Sequence, residues 1–347
     1  MRFGPVPPDQ ALGAILGHNI FRADGSRLLR KGLALTEADI RDLHDLGIEQ
    51  VWVARLGADD LDENECALRV AEALLRHQDP EAVGLKASGP ATGRVNLRAA
   101  HLGLARVEPD WIHRLNRTEG VTVATVAPHA VVRPERVLAT VKILPYALPR
   151  ESVERACSEL DDLPGSAVAL EPLVRQRVAL LVTGHPGGRE RTLTGFQTAL
   201  GDRLRALGSD LDRTEFVASG PARDAVGDLA SAIGTLREEF DLLLIAGETA
   251  IQDRHDTAPA AIEAAGGTVK SYGAPVDPGN LLLLAELNGK PVLGVPGCAR
   301  SPKRNIVDLV LPRLLVGHDL RASDIDALGV GGLLDDVPDR PLPREKI

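Results

Sequence analysis

Three stretches decide how this chain is read: AGETAIQDRHDTAPAAIEAAGG at 246–267, GAPVDPGNLLLL at 273–284 and PVLGVPGCARSPKRN at 291–305. Each holds a turn rich in Gly, Pro and polar residues that abuts an apolar run. Each also sets small backbones beside Asp, Arg or Lys. Loops of this kind bring main-chain N–H groups close to an anion, and the apolar runs read as strands ending at a common edge, where ligands of α/β sheets bind. A phosphate-bearing small molecule is the first candidate ligand.

Working outward, the same rhythm continues upstream. RVALLVT (177–183) reads as a buried strand and TLTGFQTALGDRLRALG (192–208) as a helix ending in Gly. TEFVA (214–218) is a second strand. A helix opening at Pro221 places Val226, Leu229, Ile233 and Leu236 on one stripe. DLLLIAG (241–247) and PVLGV (291–295) are further strands, 257–265 a helix, and IVDLVLPRLL (306–315) a closing helix that Pro312 kinks. Apolar strands alternating with helices predict an α/β fold with a doubly wound, mostly parallel sheet over 167–329.

Two smaller modules precede it. Residues 1–57 read as a β-rich module with one helix. Thr36 is its N-cap, Ile40, Leu43 and Leu46 share a face, and 51–53 form a strand. Residues 58–166 read as an α+β module: a helix over 59–77, a hinge near 80–93, β-branched runs over 94–148, then helices near 110–115 and 151–160. The Gly-, Asp- and Pro-rich stretch 330–347 is expected to be a peripheral tail.

Composition narrows the function. The 347 residues are 44% hydrophobic and 26% charged, a balance that suits packed domains. A net charge of −9 argues against broad attraction to nucleic acid or anionic membrane, so an anion must be held by local groups. No apolar run is long enough to span a bilayer, and MRFGPVPPDQ lacks the regions of a signal peptide, so a cytoplasmic protein is expected. Cys66, Cys157 and Cys298 are odd in number and far apart, which suggests neither a disulfide framework nor a zinc cluster.

The first constellation is TGHPGGRERT at 183–192, where Thr183, Gly184, Gly187 and Gly188 permit close backbone approach to an anion and Arg189 and Arg191 offer charge. It also reads as an ordinary strand-to-helix turn, and it is neither a Walker A loop nor G-x-G-x-x-G. In the second, Gly247, Glu248 and Thr249 end a strand. Glu248, Asp253 and Asp256 have the oxygen chemistry for Mg²⁺, while Asp256 serves equally as an N-cap. The third gathers Pro296, Gly297, Cys298, Arg300, Ser301, Lys303 and Arg304, a basic cluster in an acidic protein. Cys298 has no base near it in sequence and reads more readily as a small residue at a tight turn than as a nucleophile. The turn Asp277, Pro278, Gly279, Asn280 supplies backbone contacts at the same edge or merely reverses the chain.

These residues resemble the molybdopterin-binding domain shared by molybdopterin adenylyltransferases, molybdopterin molybdenumtransferases and gephyrin. Its strand with a Gly-rich turn, following Asp, helix with an early Pro and later Pro-Gly strand end correspond to Ala246-Gly247-Glu248-Thr249, Asp256, Pro259 and Pro296-Gly297. The wording is similar to a bacterial branch described as molybdopterin-binding proteins, often joined to a molybdenum-cofactor nucleotidyltransferase domain. Lys31 to Val53 loosely resembles the segment that precedes this domain in molybdenumtransferases. The resemblance implies molybdopterin or molybdenum cofactor as ligand, possible Mg²⁺ at Asp253 and Asp256, and these two aspartates as the catalytic candidates. It also implies a role in molybdenum cofactor biosynthesis or maturation, a homo-oligomer, and a nucleotidyltransferase as partner. Where the better-known enzymes carry a Gly-Gly turn this chain has AGET, and Cys298-Ala299 replaces their Asn/Ser-Pro. Those departures speak against adenylyl transfer or molybdate insertion and leave ligand binding in place. A transferase, a non-catalytic carrier and a competence-damage-like nucleotide pyrophosphatase all stay open.

Overall fold

A computed structural model describes residues 1–162, 164–220 and 223–334. Pro221 and all but the first residues of the expected tail lie outside that set. The chain forms two compact units, Met1–Glu171 and Pro172–Ile347.

In the first unit, Arg2–Val6, Val51–Arg55 and Ile15–Leu16 make an antiparallel sheet. Against it lies the Glu37–Asp45 helix, started by a capping box in which the Thr36 amide donates to Asp39 at 2.8 Å. Leu16, Leu43, Val51 and Val53 form the core of this part. A four-stranded antiparallel sheet follows, in the order Val121–Thr125, Val137–Ile143, Arg94–Ala99, Leu85–Ala87. The Glu63–Leu74 helix buries Cys66, Ala67, Val70, Ala71 and Leu74 in the same core as that sheet. This helix begins later than the acidic run at 59–62 predicts because Asp60–Asp62 pairs as a strand with Ala147–Pro149, and the Asp62 carboxylate caps Asn64 and Glu65. The 80–93 hinge contains a 3-10 turn at Pro80–Val83 and the Leu85–Ala87 strand.

The second unit carries the sheet predicted for it. Its six strands run in the order Asp210–Ala218, Arg177–Gly184, Leu242–Gly247, Lys290–Gly294, Leu283–Leu287, Thr268–Tyr272. The first four are mutually parallel, and Leu283–Leu287 is antiparallel to both of its neighbours. Alternate residues of the central strands feed opposite cores. Leu180 and Val182 pack with Phe196, Leu200 and Leu204 of the Arg189–Ala206 helix and with Val307, Val310 and Leu311 of the Val307–Leu315 helix. Leu181, Leu243 and Ile245 pack with Leu229, Ile233 and Leu236 of the Ala225–Leu236 helix and with Ile262 of the Thr257–Ala264 helix. Both faces are covered, which is why these strands read as continuous apolar runs rather than alternating ones.

The antiparallel pair was not expected. Leu287 pairs with Lys290 across Asn288 and Gly289, both at positive φ (53° and 76°), a two-residue hairpin turn whose twist suits the strands it joins. From Arg177–Gly184 the chain goes first to one side of the sheet and then, at Leu242–Gly247, to the other. The crevice at the C-terminal ends of these two strands is the switch point at which doubly wound sheets hold ligands.

Candidate ligand-binding edge

Thr183 and Gly247 sit opposite one another in the register at this switch point. The Glu248 amide donates to the Thr183 carbonyl at 2.9 Å, and the Glu248 carboxylate accepts from the His185 amide at 2.8 Å. A Cβ on Gly184 or on Gly188 would stand 3.1 or 3.0 Å from that carboxylate, so the glycines here make room for Glu248. Arg191 approaches it at 3.6 Å but is largely exposed, which leaves that pair little net energy. The Gly187 amide donates to the His185 ring at 3.1 Å and the Gly188 amide to the His185 carbonyl at 2.9 Å. Thus the turn expected to receive an anion already holds a carboxylate of its own chain, and its leading amides have partners. Arg189 lies over the Phe216 ring at 5.6 Å.

Beside the switch point is a cleft of about 30 Å³, lined by Thr183, Gly247, Thr249, Asp256, Thr257 and Val295 among others. It has room for roughly one water or one ligand oxygen. Asp256 caps the Thr257–Ala264 helix: its carboxylate accepts from the Thr257 amide at 2.6 Å and the Gln252 amide at 2.9 Å. Asp253 accepts from the amide and the ring of His255 at 2.8 and 3.0 Å, and these bonds hold its carboxyl below the usual carboxylate range. Each carboxylate is therefore occupied with its own loop. Among the described residues no group of three or more His, Cys, Asp or Glu is arranged to hold a metal ion. The donor set does not make a magnesium cage, and no step is assigned to a metal.

The 277–280 turn is built for packing. Gly279 has φ 142°, and a Cβ there would meet Ile306 at 2.3 Å. The Pro278 carbonyl accepts from the Ile306 amide at 3.1 Å, and the Asn280 carbonyl accepts from the Ala274 amide at 2.9 Å. Asp277 is bonded through its backbone to Gly332 and Leu334.

The basic turn is the best-organised part of the edge, and its organiser was missed by sequence reasoning. Arg203, with its side chain 9% exposed, donates to the carbonyls of Ala299 (3.2 Å), Ser301 (2.9 Å) and Lys303 (2.9 Å), and pairs with Asp308 at 2.9 Å. Buried Asn305 accepts from the Val307 amide and donates to the Lys303 carbonyl, both at 3.0 Å. The Ser301 hydroxyl accepts from the Lys303 amide at 3.2 Å. Pro296 and Gly297 open the turn, and Arg300 leans over the Phe196 ring at 5.4 Å with its guanidinium exposed. The signal for Arg203 was weak: an arginine on a helix reads as a solvated residue unless its acceptors, about 100 positions away in sequence, are known.

Burial pushes the Cys298 thiol above its ordinary pKa, which favours the bystander reading over the nucleophile. Cys66 is raised for the same reason, and Cys157 is pushed up to about 11. All three should alkylate slowly with iodoacetamide at pH 7.5 in the native protein and rapidly in denaturant. Fast native labelling of Cys298 would restore it as a candidate nucleophile.

No helix among the described residues is long and apolar enough to cross a membrane. Residues 5–55 match the family described as Domain of unknown function (DUF8806). No curated protein matches the chain. Among solved structures it is similar to a molybdopterin biosynthesis MoeA protein from Pyrococcus horikosii, at 17% identity over 90% of this chain and 75% of that one, with a TM-score of 0.30. It is similar also to a molybdenum cofactor biosynthesis protein B, at 17% identity over 40% of this chain and 94% of that one, TM-score 0.28. A third similarity is to the protein CinA from Thermoplasma acidophilum, at 15% identity over 36% of this chain and 90% of that one, TM-score 0.29.

Proposed function

We propose that this chain binds a molybdopterin-type pterin phosphate at the C-terminal edge of its six-stranded sheet and serves the biosynthesis or maturation of the molybdenum cofactor. The observation that carries the reading is the convergence of the three motif-bearing turns on the ends of neighbouring parallel strands at the switch point. The ligand phosphate belongs at the 297–304 turn, where Arg300, Lys303 and Arg304 cluster on a backbone pinned by Arg203. The cleft beside Gly247, Thr249 and Asp256 takes another polar part of the ligand.

Two observations favour a carrier over a transferase. Glu248 fills the Gly184–Gly188 turn, which repels a second phosphate from it, and Asp253 and Asp256 are engaged as local caps rather than aimed at a shared point. The chain then holds the cofactor and passes it to a nucleotidyltransferase or a target enzyme. The nucleotide pyrophosphatase reading has no observation of its own in its favour.

Calorimetry with purified protein and molybdopterin, with and without metal, tests the proposal. Arg300→Ala should weaken binding about tenfold, the size of one lost charge-assisted contact. Asp256→Ala should weaken it through loss of the cap. Glu248→Ala should tighten phosphate-bearing ligands by up to about tenfold, since it removes a resident negative charge. If neither form of the pterin binds, the reading falls and nucleotides become the next ligands to test. Adenylylation or metal insertion above background would overturn the carrier version alone.

A further inference from the structure

The six-stranded sheet ends at Asp210–Ala218, a nine-residue strand paired on one side only; among the described residues no strand pairs with its outer edge. A long edge of this kind exposes a row of backbone donors and acceptors, and proteins commonly protect or use it. Asp212 is the extra residue of a bulge: Val178 pairs with Leu211, but Ala179 pairs with Arg213. Its carboxylate is spent on the Val178 amide at 3.0 Å and on Arg175. From Arg213 to Ala218 the strand is uninterrupted.

The charges on this run are self-complementary. Two copies related by a two-fold axis perpendicular to the sheet would pair antiparallel, with each residue opposite one on the same face, so the axis must pass through a residue. Centred on Thr214, the axis sets Arg213 opposite Glu215 of the second copy and Glu215 opposite Arg213 of the second copy, with the threonines facing each other. Centred on Arg213 or Glu215, it would set like charges against each other. Centred on Phe216, it would leave Glu215 opposite Val217. Opposite charges and Thr–Thr pairs across strands stabilise, whereas like charges directly opposite destabilise. Arg213 and Glu215 already hold each other at 2.7 Å along the strand with about half of the arginine side chain exposed, so the guanidinium has donors left for a second carboxylate.

We infer that a second copy of this chain docks on the Asp210–Ala218 edge, antiparallel and centred on Thr214, to extend the sheet across a two-fold axis. The inference concerns assembly and is independent of the ligand proposed above. The bulge at Asp212 confines the regular ladder to its middle, so the flanking parts of the edge contribute packing rather than register.

The full-length chain tests this by sedimentation equilibrium and by cross-linking. The wild-type chain should be dimeric at micromolar concentration. Arg213→Glu and Glu215→Arg should each weaken the dimer about tenfold or more, because each turns both cross-strand pairs into repulsions. The double exchange should restore it. Thr214→Cys should form an intermolecular disulfide on mild oxidation, since facing residues in an antiparallel pair have Cα atoms about 4.5–5.5 Å apart, within disulfide reach. Asp210→Cys, displaced from the axis, should not. A monomeric wild type overturns the inference. So does a dimer that ignores both single exchanges, that the double exchange fails to restore, or that Thr214→Cys does not link.

Discussion

Arg203→Met is expected to lower the unfolding free energy by about 3–5 kcal/mol, the usual cost of removing one partner of a buried ion pair. The arginine is nearly buried, and its loss leaves the Asp308 carboxylate with the Asn305 amide but no counter-charge, and takes the shared donor from the Ala299, Ser301 and Lys303 carbonyls. Arg203→Lys should recover little, because an ammonium cannot span acceptors arranged for a planar fork. Urea unfolding measures the first effect. Amide exchange of residues 299–305 measures the second, and it should rise even under conditions where the rest of the unit stays protected. A loss below about 1 kcal/mol would mean that the turn holds its shape without Arg203.

The second large effect is expected at Gly279→Ala. The backbone there has φ 142°, outside what L side chains adopt, and the added methyl would meet Ile306 at 2.3 and 2.4 Å. Backbone strain and overpacking each cost about 1–3 kcal/mol, so a loss of about 2–5 kcal/mol is predicted. Adding Ile306→Gly to that variant, which removes both the Cβ and the Cγ2 that the methyl meets, separates the two terms by a double-mutant cycle: the clash is relieved and the strain is not. Additive losses would show that the methyl and Ile306 do not meet.

The parallel part of the sheet was legible because both of its faces are covered, which turns strands such as 177–183 and 241–247 into apolar runs bounded by glycine and proline. The Thr36 and Asp256 caps were legible for a local reason: their hydrogen bonds reach only a few residues along the chain. Leu283–Leu287 was swallowed by the leucine run of the preceding turn, although Asn288-Gly289 is a strong hairpin signal and was there to be read. Asp60–Asp62 looked like the acidic first turn of a helix because nothing local announces a partner at Ala147–Pro149. At the ligand edge the residue types could be read but not their partners. Glu248 belongs to the 183–188 turn as much as to its own, and Arg203 to a turn nearly 100 residues downstream.

Arg203 also fixes the electrostatic sign of the turn it supports. Three carbonyl groups point their negative ends at one buried guanidinium, so those dipoles are neutralised inside the protein instead of offsetting Arg300, Lys303 and Arg304 outside. Surface cations are screened by salt, but a buried guanidinium largely is not. Because Asp308 already pairs with Arg203, anion affinity at this turn rests on its exposed cations and should fall steadily as ionic strength rises.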